Sequence, residues 1–266
     1  MSNSTAEQFS GILRQLSALK EIRAIGKTGG SALPADGSDI DVFIFCDVIP
    51  TPEARIKALS PHKILSQGEL EGPFWGLTDY LDVGGLDICL MFFTAAAFTN
   101  SVESILRGER LEREGNCFYP VGRCASVLDM HVYFERDGYL SDLQNRLRDY
   151  PELLARKMIA RHIGSICDEE DFGRAVARGD VLFYHATLDL ALDSFLQMLF
   201  AVNRRFFPSR KRSAALVADF ALQPADCAAR MQRTVELGAH SETLAESFRL
   251  WSELCNDLCA LADISP

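Results

Sequence analysis

The sequence predicts an α+β chain, an N-terminal mixed sheet flanked by helices followed by an all-α helical bundle. Three observations lead there. Short apolar runs bounded by glycine turns alternate with helical segments up to Gly138. Beyond Gly138 the apolar pattern has helical period throughout, and no strand pattern follows. The composition, 48% hydrophobic and 24% charged over 266 residues, is that of a globular chain long enough to bury a substantial core. The expected division is therefore residues 1–138 and residues 139–266.

Residues 6–23 set Phe9, Ile12, Leu13, Leu16 and Leu19 on one face of an amphipathic helix. Residues 22–26 read as a short strand running into a small-residue turn, Gly29-Gly30-Ser31. Residues 41–46 form the next strand, with a Val42-Phe43-Ile44-Phe45 core too apolar for an exposed surface. Residues 51–59 follow as a helix with Pro52 in its first turn, where a missing N–H costs nothing. Residues 62–93 read as meandering β with turns at Gly68, Gly72-Pro73 and Gly84-Gly85. Residues 94–106 return to helix, and 127–134 read as a strand ending in the Glu135-Arg136-Asp137-Gly138 turn. The second half resolves into helices over 139–149, 151–164, 169–178, 180–203, 211–220, 224–237 and 241–262.

The formal net charge of −10 argues against a grip on long nucleic acid, which needs a basic face, so no stable nucleic-acid partner is expected. A small polar or cationic substrate fits that balance better. The first residues carry no basic-then-apolar leader pattern, and the longest apolar stretches are too short or are interrupted by Asp189, Asp193 and Gln197, so no membrane span is expected. The eight cysteines are scattered without metal-ligand pairing, as reduced thiols of a cytoplasmic protein would be. A monomer or a homodimer is expected.

The chemistry concentrates at the end of the first strand. Asp39 and Asp41 stand at i and i+2 where a strand begins, so both point to one face of the sheet. Such a carboxylate pair suits a hard divalent cation, and Mg²⁺ commonly takes one or two carboxylates together with substrate phosphates. Gly29, Gly30 and Ser31 supply backbone N–H groups little obstructed by side chains, the kind of concavity that holds phosphate oxygens. A third acid, Asp87, opens an apolar run of the same type as that beginning at Asp41. Two such strands side by side would bring Asp87 to Asp39 and Asp41.

A Gly-Ser turn, an Asp-x-Asp pair on the next strand and a later single Asp on a third strand resemble the DNA polymerase β-type nucleotidyltransferase superfamily. The resemblance is nearest to its small two-domain members with a helical C-terminal half, which include the aminoglycoside and lincosamide nucleotidyltransferases. It implies a nucleotidyltransferase-fold N-terminal domain in which Asp39 and Asp41 hold Mg²⁺. It further implies that Gly30 and Ser31, following Gly29, hold the β- and γ-phosphates, and that Asp87 completes the metal site or acts as base. Two Mg²⁺ ions, an NTP co-substrate (ATP first among candidates) and a small hydroxyl-bearing acceptor come with the family. The loop from Ser31 to Asp39 is shorter than in many relatives and lacks the arginine often found after the serine. A non-catalytic nucleotide-binding partner of toxin–antitoxin type is the alternative from another class, and an RNA-tailing enzyme is disfavoured by the charge.

In the helical half, His185, Asp189, Asp193 and Gln197 recur every four residues on an otherwise apolar helix, one slowly drifting polar stripe. It reads either as a wall that binds the polar acceptor or as the solvent face of the helix. Lys211 either reaches the triphosphate, as C-terminal-domain lysines do in the resembled family, or belongs to a solvated basic patch with Arg204, Arg205, Arg210 and Arg212. Arg156 and His162 have the Arg-x(4–6)-His spacing of small helical ribonucleases, a spacing that chance produces often.

Overall fold

A six-stranded sheet in the order β3 (Lys63–Leu70), β4 (Leu77–Asp82), β5 (Asp87–Thr94), β2 (Ile40–Cys46), β1 (Ile22–Lys27), β6 (His131–Glu135) organises the first half of the chain. The computed structural model describes residues 3–29, 39–60, 62–70, 76–114 and 119–262. The elements are α1 (Asn3–Ser17), β1 (Ile22–Lys27), β2 (Ile40–Cys46), α2 (Pro52–Leu59), β3 (Lys63–Leu70), β4 (Leu77–Asp82), β5 (Asp87–Thr94), α3 (Ala95–Leu106), α4 (Pro120–Leu128), β6 (His131–Glu135) and α5 (Tyr139–Leu147). Among the described residues only β2 and β5 run parallel; every other neighbouring pair is antiparallel.

Both faces of the central strands are buried, which is why β2 and β5 read as continuous apolar runs rather than alternating ones. One face presents Ile40, Val42, Ile44, Ile88, Leu90 and Phe92 to Phe9, Ile12, Leu13 and Leu16 of α1. The other carries Phe43, Phe45 and Phe93, which pack edge-on or stacked with one another and with Phe98 of α3. Within the first face a charged pair is sealed. Arg55 of α2 donates through Nε to Asp79 Oδ2 at 2.8 Å and through Nη1 to the Pro50 carbonyl at 2.9 Å, with Asp79 wholly buried.

The chain divides into two units, Met1–Ser104 with Arg123–Asp149, and Ile105–Gly122 with Tyr150–Pro266. Helix α5, expected to open the helical half, packs on β1 and β6 in the first unit. Glu135 fixes its start by accepting the N–H groups of Leu140 and Ser141 at 3.0 and 2.9 Å. The strand expected over 127–134 is instead the end of helix α4 followed by β6. Pro120 at the first position of α4 and apolar residues at helical spacing (Val121, Cys124, Ala125, Leu128) carry the helix. The turn expected at Gly68 is also corrected. Gly68 lies inside β3, at a register shift against β4, where an added Cβ would stand 2.3 Å from the Thr78 carbonyl oxygen. The Gly84-Gly85 turn is present, both residues at positive φ, and Gly72-Pro73 lies outside the described residues.

The second unit contains α6 (Glu152–His162), a short 3₁₀ turn (Ile163–Ser165), α7 (Glu169–Arg178), α8 (Val181–Val202), α9 (Ser213–Ala218), α10 (Cys227–Leu237) and α11 (Leu244–Leu261). Helix α8 packs on α6, α7 and α11. Its start is set twice over, by Gly179 in the left-handed conformation ending α7 and by Asp180, whose side chain accepts the Phe183 N–H at 3.0 Å. Phe195 of α8 lies 5.2 Å from Trp251 of α11, and the Trp251 indole donates to the Ile166 carbonyl at 2.8 Å. Tyr184 is core: its hydroxyl donates to Ser247 at 2.6 Å. No helix among the described residues is long and apolar enough to cross a membrane.

Candidate functional site

The parallel register of β2 and β5 sets Ile40 beside Ile88 and Asp41 beside Cys89. Partners in register share a face, and the face repeats every second residue. Asp39, Asp41 and Asp87 therefore lie on one face of the sheet at one end of two neighbouring strands. Asp39 and Asp87 are exposed, and Asp41 is half-buried. Asp87 stands 46 positions beyond Asp41 in the sequence, and the parallel pairing of β2 with β5 is what brings it to the same end as Asp39 and Asp41.

Three carboxylates are the oxygen donor set a hard divalent cation takes. As the side chains stand, no three His, Cys, Asp or Glu groups among the described residues converge to hold a metal ion. Gly29 is exposed at φ +73°, with nothing within 4 Å of a Cβ added there, so the chain leaves β1 through a turn open for close approach. Gly30 and Ser31 lie outside the described residues. Thr28 donates its N–H to the Asp41 carbonyl at 3.2 Å, which fastens the start of this turn to the acid-bearing strand. Lys27, the last residue of β1, is buried; burial lowers its pKa, and its Nζ donates to the Thr28 carbonyl at 3.0 Å.

Arg123 of α4 was not foreseen. Its guanidinium is buried against the acid-bearing face, 5.0 Å from the Phe43 ring centroid and 5.5 Å from that of Phe93. Burial pulls its pKa down to about 10, and the attraction of Asp41 opposes that shift. Cys89, in register with Asp41, is pushed up to about 12 by burial, with Asp41 and Asp39 adding to the push. The acid end thus carries a fixed positive charge beneath it. The signal was a lone arginine among the small and apolar residues from Pro120 to Ala125, a stretch whose sequence pattern assigned it to no element.

In the second unit the polar stripe of α8 is split. Steps of four residues advance about 40° around a helix, so three steps turn by about 120°. Asp189 is exposed and ion-paired with Arg210, and His185 is half-buried edge-on to Tyr184. Asp193 and Gln197 are buried. Asp193 accepts from the Tyr119 hydroxyl and from Gln197 Nε2 at 3.0 Å, with Arg113 at 3.8 Å. Burial and that hydrogen bond raise the Tyr119 pKa to about 12. A cavity of about 630 Å³ opens beside these groups, and neither His185 nor Asp189 lines it. Lys211 is exposed in the turn before α9, its N–H bonded to Ser209 Oγ at 3.2 Å.

Residues 119–212 match a family model described as a domain of unknown function, DUF4037. That segment holds Arg123, the split stripe and Lys211, and lies wholly after the acid-bearing strands. No curated protein matches the chain. Among solved structures it is similar to a nucleotidyltransferase-like protein from Exiguobacterium sibiricum 255-15, with a TM-score of 0.46 and 11% identity over 96% of this chain and 77% of that one.

Proposed function

We propose that this chain is a Mg²⁺-dependent nucleotidyltransferase that moves a nucleoside monophosphate from an NTP, ATP first among candidates, to a hydroxyl of a small polar acceptor and releases pyrophosphate. The observation that supports it is the shared face and shared end of Asp39, Asp41 and Asp87 beside the turn at Gly29. In the reaction the acceptor oxygen bonds to the α-phosphorus, the bond from that phosphorus to the bridging oxygen breaks, and the hydroxyl proton passes to a base. Asp39 and Asp41 would hold Mg²⁺, with Asp87 as a further ligand or as the base. Mg²⁺ when bound supplies charge neutralisation for attacking and leaving oxygens. The chain's own task is to hold the triphosphate in line with the acceptor, through the backbone N–H groups of Gly29, Gly30 and Ser31.

The test is pyrophosphate release from ATP and Mg²⁺ across a panel of small hydroxyl compounds, with Asp39→Ala and Asp41→Ala as controls. Release that falls to about 1% or less in both variants supports the reading. Absence of release, with ATP affinity indifferent to Mg²⁺ and to both substitutions, removes it. Arg123 favours a second reading, a nucleotide-binding protein without transfer, because it places a fixed cation next to Asp41. That reading expects ATP to bind equally well without Mg²⁺ and to remain intact.

A further inference from the structure

The cavity of the second unit has an unusual inner end. Gln197 is 3% exposed, and its Nε2 donates to Asp193 Oδ2 at 3.0 Å. The carboxylate needs a donor there, so the amide cannot turn round, and Gln197 Oε1 is left facing away with no hydrogen-bond partner. His162, at the end of α6, is 7% exposed, and its Nε2 also has no hydrogen-bond partner. Burial pulls the His162 pKa down to about 4, Arg161 adds to the pull and Gln197 opposes it, so the ring is neutral near pH 7. Gln197 stands close enough to hold the His162 pKa up as a hydrogen-bonding neighbour, but the two form no well-aligned hydrogen bond, and both line the cavity. Buried polar atoms are almost always paired, and each unpaired one costs about 1–3 kcal/mol.

The charged groups of the wall already have partners of their own. Arg113 stands 3.8 Å from Asp193, Arg161 stands 3.4 Å from Glu112, and Asp171 pairs with Arg174 at 2.7 Å. Asp168 caps α7 by accepting the Asp171 N–H at 3.0 Å. An ion entering this cavity would compete for groups that are already paired or capping. The remaining polar chemistry is neutral: Gln197 Oε1, His162 Nε2 and the hydroxyls of Ser165, Thr187 and Ser194. Phe183, Leu190 and Leu111 give the same cavity an apolar side.

We infer that this cavity is a binding site for a small, uncharged, hydroxyl-bearing molecule with one apolar face. With the proton of the neutral ring on Nε2, one ligand hydroxyl beside Gln197 and His162 donates to Oε1 and accepts from the imidazole N–H, which an ammonium group, a donor only, does not do. The volume of about 630 Å³ is that of an ordinary small-molecule site. The inference rests on the helical unit alone, and its test requires no nucleotide transfer.

The test is ligand-observed saturation-transfer NMR on the full chain with a hexose, myo-inositol and uridine as neutral probes, and putrescine and inorganic phosphate as charged ones. Leu190, which lines the cavity and is 59% exposed, allows Leu190→Trp to fill the space without touching the buried polar groups. His162→Phe removes the unpartnered nitrogen, and Leu182→Ala, outside the wall, is the control. A neutral probe should bind, weaken about tenfold in His162→Phe, disappear in Leu190→Trp and persist in Leu182→Ala. Binding of the charged probes alone, binding of a neutral probe indifferent to both cavity variants, or no binding by any probe overturns the inference.

Discussion

Replacing Arg55 by methionine leaves the Asp79 carboxylate, 0% exposed, without its bidentate partner at 2.8 and 3.4 Å. Breaking one side of a buried pair costs about 3–5 kcal/mol, and the Pro50 carbonyl loses its donor for about 1 more. Strand β4, which carries Asp79, is the antiparallel neighbour of β5, which opens with Asp87. The loss should therefore be felt at the acid end rather than in the helices. Hydrogen-exchange mass spectrometry separates these outcomes. Amides of β4 and β5 should exchange about 10³–10⁴-fold faster in Arg55→Met, while those of α8 and α11 keep their rates. The double variant Arg55→Met/Asp79→Leu, which leaves no buried charge, should recover most of the protection. Unchanged exchange in β4 and β5, or a double variant as damaged as the single one, would refute this account of what holds β4 in place.

Three more outcomes follow from particular contacts. His162 has a folded-state pKa of about 4 against an unfolded value near 6.5, so the unfolded chain binds the extra proton first as pH falls. Stability should drop by roughly 3 kcal/mol between pH 6.5 and 4, and urea midpoints of His162→Phe should lose most of that slope. Cys167 is half-buried with its pKa lowered to about 7, chiefly by the neighbouring Cys255 thiol, while burial raises those of Cys46, Cys89, Cys124, Cys227, Cys255 and Cys259. Iodoacetamide at pH 7.5 should label Cys167 first among these seven, as peptide mass mapping will show. At Gly26 an added Cβ would stand 2.1 Å from Met130 Sδ and 2.8 Å from Leu140, so Gly26→Ala should cost about 1–3 kcal/mol in denaturant unfolding.

Much of the first unit was legible because its strands announce themselves as apolar runs and its turns as glycine pairs. The i, i+2 rule placed Asp39 and Asp41 on one face, and the Asp87 run matched the strand that lies beside them. The parallel pairing itself was not readable, since nothing local in either strand names its neighbour. Helix α4 was missed because Val127 and Leu128 run on toward the β-prone His131–Phe134 segment, and the break at Asp129 is weak. With α4 unseen, Arg123 had no element to place it. The α8 stripe was found by its spacing, but spacing alone does not tell which part of a drifting row faces water. Tertiary packing decided that, burying Asp193 and Gln197 and leaving Asp189 to an ion pair with Arg210. Arg113 and Tyr119, which hold Asp193, lie in a charged and irregular stretch where no periodicity marks them.

The first unit is not a continuous length of chain. Its last segment, Arg123–Asp149, arrives only after the polypeptide has passed through Ile105–Gly122 of the other unit. During synthesis the strands bearing Asp41 and Asp87 leave the ribosome before β6 exists to flank β1 and before Met130 and Leu140 can cover Gly26. A nascent chain thus holds its acids ahead of the arginine that will lie beneath them, with an apolar sheet face open to wrong partners in the interval. Cutting the gene at one point will not yield the first unit free of the other. A fragment ending at 104 lacks Arg123, β6 and α5, and one ending at 138 still lacks α5, so this half must be expressed together with sequence that belongs to its neighbour.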